Sequence, residues 1–126
     1  MVGGCGCVSL AFPMVLIRAE IWCAAFVRRH NDVGKICVVV RKGDPIAGQI
    51  WIEIDHLDGT SSLFSQASSL LQNSKQSKLV FQKKSDRVPY SEVKAKLEQE
   101  INFDPDFWIL ALEDPKGEHG LEVIEV

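Results

Sequence analysis

Gln49-Ile50-Trp51-Ile52-Glu53-Ile54-Asp55-His56-Leu57 is the most strongly patterned segment of the chain. Isoleucines at 50, 52 and 54 alternate with Trp51, Glu53 and Asp55, and a strand turns a period of two into two separate faces. Wound as a helix, the same residues would scatter the isoleucines around its circumference. The pattern therefore predicts a half-buried strand, with Ile50, Ile52 and Ile54 toward a core and Trp51, Glu53 and Asp55 on the opposite face. Leu57-Asp58-Gly59-Thr60 follows with the Asp-Gly pair of a two-residue hairpin turn, so Ser61–Phe64 is expected to return antiparallel. Upstream, Arg41-Lys42-Gly43-Asp44-Pro45 and then Gly48 separate this strand from Ile36-Cys37-Val38-Val39-Val40. That continuous β-branched run has the pattern of a strand buried on both faces.

Helices flank the strands. From Ile17 to about His30, Ile17, Ile21, Ala24 and Ala25 share one face, Trp22 and Phe26 widen it, and Arg28, Arg29 and His30 suit the negative end of the helix dipole. Pro89 opens a second helix to about Asn102, with Val93, Leu97 and Ile101 as its apolar stripe. Between them, Ser65 to Lys78 is rich in Ser, Gln, Asn and Lys and reads as a loop, and Leu79-Val80-Phe81 as a short strand whose flanking lysines suit a sheet edge. Asp104-Pro105-Asp106 breaks the second helix. Phe107–Glu113 is an apolar strand, Asp114-Pro115-Lys116-Gly117 a turn, and Leu121–Val126 a candidate last strand. Strands in runs rather than alternating singly with helices give an α+β fold. Its expected form is a mostly antiparallel sheet of five to six strands with two helices packed on it, in the order α-β-β-β-β-α-β and possibly a last β.

A chain of 126 residues, 46% apolar and 25% charged, has the size and composition of one globular domain. Residues 14–126 are expected to form it, with 1–13 as an N-terminal extension outside the fold; Met14 is an alternative start. The apolar residues 1–17 lack a basic leading region and are interrupted by glycines and Pro13, which fits neither a secretory signal nor a membrane span. A net charge of −3 sets up no field toward nucleic acid or an anionic membrane. The charge is nonetheless segregated. Residues 18–42 and 75–97 are basic, 43–74 and 98–126 acidic, as expected if the blocks face one another in the fold. Cys23 and Cys37 sit inside apolar runs as buried thiols, and Cys5-Gly6-Cys7 has no further ligands at zinc spacing.

No catalytic constellation, cofactor motif or metal set emerges from the residue pattern. Asp44 with Glu53, or Glu53 with Asp55, are the acids a metal-dependent nuclease would need, but the lysine that should accompany them is missing and a solvated strand face explains them as well. His30, His56 and His119 lie in three different contexts, and His56 reads as a histidine at the core edge. The basic segment Lys75–Arg87 suits phosphates, but Phe81 is its sole aromatic. A non-catalytic interaction module then remains. If both helices cover one sheet face, Trp51, Glu53 and Asp55, with Phe107 and Trp108, are left for an unknown protein partner or a second copy of the chain.

Four segments occur in a recognisable order: Arg18-Ala19-Glu20-Ile21-Trp22; Val40-Arg41-Lys42-Gly43-Asp44-Pro45 with Ala47-Gly48; Leu57-Asp58-Gly59-Thr60; and Phe103-Asp104-Pro105-Asp106-Phe107-Trp108. Together they resemble a family of short alphaproteobacterial proteins catalogued as domain of unknown function 1491, over roughly Ile17 to His119. The resemblance implies a soluble, cytoplasmic bacterial protein and carries no activity with it. The residues before Met14 and the Ser-rich loop depart most from the family pattern.

Overall fold

The computed structural model describes residues 18–67 and 79–124. Helix α1 (Ala19–Asp32) buries Ala19, Cys23, Phe26 and His30, spaced so that they share one face. The orphan amides of its first turn are met by the chain that follows. Ala19 N donates to Ile46 O at 3.2 Å and Glu20 N to Pro45 O at 3.0 Å. Strands β1 (Ile36–Arg41), β2 (Ile50–Asp55), β3 (Thr60–Gln66) and β4 (Val80–Pro89) come next, then α2 (Tyr90–Phe103), β5 (Trp108–Glu113) and β6 (Glu122–Ile124). The chain is thus α+β in the expected order, with the last strand present.

The sheet runs β1-β5-β2-β3-β4-β6. Three of its pairings are antiparallel (β1–β5, β2–β3 and β3–β4), while β5–β2 and β4–β6 are parallel. Strand β5 enters between β1 and β2 because the connection through α2 crosses over the sheet. Such a crossover is what allows β5 to lie parallel to β2.

The two helices occupy opposite faces. Under α1, Ile50, Ile52 and Ile54 meet Phe64, Phe81, Trp108, Leu110 and Leu112 in the larger core, as the alternation in β2 requires. Under α2, Val93 and Leu97 meet Trp51, Leu63, Phe107 and Ile109 in a smaller one. Each fully buried large side chain of this kind contributes about 1.5–3 kcal/mol.

Four local expectations are corrected. Helix α1 turns Ala19, Cys23, Phe26 and His30 inward, while Ile21, Ala24 and Ala25, expected on its apolar face, are exposed. Strand β1 is an edge, not an interior strand, among the described residues: Ile36, Val38 and Val40 are 58%, 50% and 58% exposed, because β1 pairs there with β5 alone and α2 packs over β3 and β4, away from it. Leu57-Asp58-Gly59-Thr60 does not make a two-residue turn. Residues 56–59 separate β2 from β3, with Leu57 at φ 62° and Gly59 at φ 90°. The short strand around Phe81 continues to Pro89, because β3 offers it a partner along its length. The extension 1–13 and residues 68–78 of the Ser-rich loop lie outside the described residues.

Candidate functional site

The residues expected to form an open interaction face are interior. Trp51, Glu53, Phe107 and Trp108 are 5%, 8%, 1% and 5% exposed, and Asp55 is half-buried. Trp51 and Phe107 pack together at 5.8 Å between ring centroids beneath α2. Trp108 lies on the other face under α1, its indole Nε1 donating to Asp44 O at 2.8 Å. The expectation depended on both helices sharing one face, and placing α2 on the other closes the Trp51 side. Glu53 sits between Leu63 and Ala111 on neighbouring strands. Burial first, and the neighbouring Asp55 second, push its carboxyl above the usual range.

The acids considered for a metal site have other occupations. Asp44 Oδ2 accepts from the amides of Ile46 and Ala47 at 3.1 and 2.7 Å, an Asx turn that shapes the loop meeting α1. Among the described residues, no three His, Cys, Asp or Glu side chains are grouped as metal ligands. Cys23 and Cys37 are buried, and burial pushes their thiols up to about 12 and about 11 respectively. A cleft of about 310 Å³ between α1 and the start of the sheet is lined by Cys23, Val39 and Trp108 among others, and the Cys23 thiol there is held protonated by its burial.

Three of the four recognisable segments meet at one junction. Arg18-Ala19-Glu20 is held by the carbonyls of Pro45 and Ile46, Asp44 N donates to Asp106 O at 2.9 Å, and Arg41 donates to Pro105 O at 2.6 Å. Gly43 and Gly48 let the Asp106 backbone approach more closely than any side chain would permit. In the fourth segment, Asp58 Oδ1 accepts from Thr60 N at 3.0 Å and from the Thr60 hydroxyl. These segments hold loops together and carry no reactive groups.

Two surface features stand apart from that framework. The first is the outer edge of β1, where Ile36, Val38 and Val40 form an apolar row on the side α2 leaves open. Lys35 stands at its start, with Arg41 and Lys42 at its end. Lys35 is paired with Asp114 at 2.9 Å, joining a basic block to an acidic one as the charge pattern suggested. Burial opposes the charge on Asp114, but Lys35 and the amides of Lys116 and Glu118 outweigh it and hold the carboxyl below its usual range.

The second is a polar cavity of about 150 Å³ on the α1 side of the sheet, beyond Ile54 and Phe64, and it brings together residues the sequence left apart. Strand β4 is bulged here. Ser61 pairs with Val88 and Leu63 with Ser85, so Asp86 and Arg87 both stand opposite Ser62, with Arg87 at φ 50°. Arg87 N donates to Ser62 Oγ at 3.1 Å, and Ser62 Oγ lies 2.9 Å from His56 Nε2 and 3.5 Å from Asp86 Oδ1. The turn after β5 supplies Lys116, Gly117 and His119. The His119 ring packs tilted against Phe64, 4.8 Å between centroids, and its Nδ1 accepts from Leu121 N at 3.0 Å. Burial, then Lys83, lowers the affinity of His119 for a proton. Asp86 contacts Ser62 rather than His56, so the group is not wired as a nucleophilic triad, in which the acid orients the histidine. Lys83 and Arg87 belong to the basic segment expected on β4; Lys75 and Lys78 lie outside the described residues. Sequence reasoning missed this cavity because a bulge and a distant turn build it, and neither leaves a periodic signal.

The family model described as "Protein of unknown function (DUF1491)" matches residues 17–122. The chain is similar to the crystal structure of a DUF1491 family protein from Caulobacter crescentus CB15, at 29% identity and a TM-score of 0.71, covering 88% of this chain and 100% of that one. The NMR structure of a DUF1491 family protein from Caulobacter crescentus CB15 gives 29%, 0.71, 88% and 99%. The solution structure of protein Atu0922 from A. tumefaciens, 24% identical, shares the fold with a TM-score of 0.74 over 89% of this chain and 98% of that one. No curated protein matches the chain.

Proposed function

The chain belongs to the DUF1491 family of proteins of unknown function, and from that premise we propose that it is a non-catalytic interaction module that receives an extended segment of a partner protein along β1. The observation carrying this reading is the apolar row Ile36, Val38 and Val40 on an edge strand that, among the described residues, pairs on one side only. An open edge presents unpaired backbone groups, and an added strand would satisfy them while covering the row. Charge selects the kind of partner. Lys35 at the start of the strand is neutralised by Asp114, whereas Arg41 and Lys42 leave its end positively charged. A partner strand flanked by acidic residues meets them favourably. The interior placement of Trp51, Phe107 and Trp108 moves the proposed surface from the aromatic residues to this edge.

The test titrates the protein, by amide NMR, with two peptides of alternating valine and threonine, one flanked by glutamates and the other by lysines. The glutamate peptide is expected to perturb the amides of Ile36–Arg41, and Val38→Lys to abolish that response. A glutamate peptide that leaves those amides unmoved overturns the reading. A dimer seen by light scattering and dispersed by Val38→Lys would replace the partner segment with a second copy.

A further inference from the structure

We propose that the cavity between His56, Ser62, His119 and the rim cations Lys83, Arg87 and Lys116 is a binding site for a phosphoryl group. Its volume of about 150 Å³ is several times the share of one liquid water, roughly 30 Å³, and leaves room for a single tetrahedral oxyanion. The balance of charge around it is positive. Lys83, Arg87 and Lys116 face one carboxylate, that of Asp86, which lies 3.5 Å from Lys83 Nζ. Arg87 also reaches Asp58 at 3.7 Å on the outer side. These are half-exposed pairs of the weak kind, which an incoming dianion can displace or share.

The walls add directional donors. His119 Nδ1 accepts from Leu121 N, so the proton of its neutral ring resides on Nε2, which has no partner among the described residues. On His56, Nε2 lies 2.9 Å from Ser62 Oγ, and the buried Nδ1 has no hydrogen-bond partner among the described residues. A buried ring nitrogen left without a partner beside a cation-rimmed cavity is explained by a ligand that brings its own polar atoms. The backbone is shaped around the same place: Arg87 has a positive φ at the bulge, and Gly117, at φ 70°, lies beside the His56 ring. The site admits one phosphate rather than a polynucleotide track, since its sole aromatic, Phe64, is buried beneath His119 and offers no stacking platform.

The experiment is an NMR titration of the full chain with inorganic phosphate and, separately, with glycerol phosphate, each against chloride at equal ionic strength. The ring signals of His56 and His119 and the amides of Ser62 and Arg87 are expected to shift together and saturate. The variant K83Q/K116Q, which alters exposed lysines and leaves the bulge intact, should weaken binding at least about tenfold. Tighter binding of the ester identifies a phosphorylated small molecule as the source, and equal affinity identifies free phosphate. Shifts that match those in chloride, or an affinity unchanged in the double variant, overturn the proposal. So would an oligonucleotide that binds through the same residues more tightly than either phosphate.

Discussion

Gly43→Ala tests the junction on which the fold depends. A Cβ on Gly43 would collide with Asp106 O and stand 2.6 Å from Phe107 C and 2.8 Å from Asp106 C. All three are backbone atoms, so no side chain can rotate away, and the 103–107 segment must retreat. That movement breaks or stretches the bond from Asp44 N to Asp106 O, now 2.9 Å, and disturbs the 2.8 Å bond from the Trp108 indole to Asp44 O. Overpacking of this sort costs about 1–3 kcal/mol, and the lost hydrogen bond adds about 0.5–1.5 kcal/mol, so about 2–4 kcal/mol is expected in all. For a domain of this size the melting temperature should fall by roughly 6–20 °C. Urea unfolding with tryptophan fluorescence measures the loss, and the indole NH resonance of Trp108 reports whether the junction itself has moved. With room for the methyl group, the same substitution would instead stabilise by about 0.4–1 kcal/mol through the unfolded chain. The two accounts differ in sign, and a Gly43→Ala protein as stable as its parent would refute the close approach.

Glu53→Gln is expected to stabilise at neutral pH. The carboxyl titrates higher in the folded chain than in the unfolded one, so its contribution is intact below the unfolded value of 4.5 and is lost as pH rises through the folded value. The advantage of glutamine should therefore grow between pH 4 and pH 7, and a constant difference would show that Glu53 is not desolvated. His30 has the opposite sign. Burial first, then Arg29 and Lys35, depress its proton affinity against the opposing His119 backbone and Asp114, so stability should decline as pH falls below 6.5, where the unfolded chain takes the proton first. His30→Phe, which can keep the tilted ring contact with Phe26 at 4.4 Å, should lessen that decline, as urea midpoints at pH 7 and pH 5 will reveal. Cys23 and Cys37, with thiols pushed up to about 12 and about 11, should resist an aromatic disulfide reagent at pH 8 until urea unfolds the chain; rapid labelling located at either by mass spectrometry would contradict their burial.

The alternation at Ile50, Ile52 and Ile54 was sufficient to define a strand and its core face, because period two survives any tertiary arrangement. The stripe Val93, Leu97 and Ile101 identified α2 and its buried side in the same way. The β-branched run at Ile36–Val40 was ambiguous: an apolar sequence looks alike whether a strand is covered or left at an edge, and only the position of β1 in the sheet distinguishes the two. Cys23 was legible as a buried thiol, whereas Trp51 depended on which face α2 would take.

The α+β class, the order of elements and the family segments are legible in the chain itself, since these rest on local propensity and on patterns read over a few residues. Which surfaces are open follows from how the elements pack. The crossover through α2 inserted β5 beside β2, closed the Trp51 face and left β1 at the rim. The bulge at Asp86 and Arg87, with the turn bearing His119, gathered two histidines and three cations from segments far apart in the chain. Contacts of that kind come from strand pairing between distant residues, and no local pattern records them.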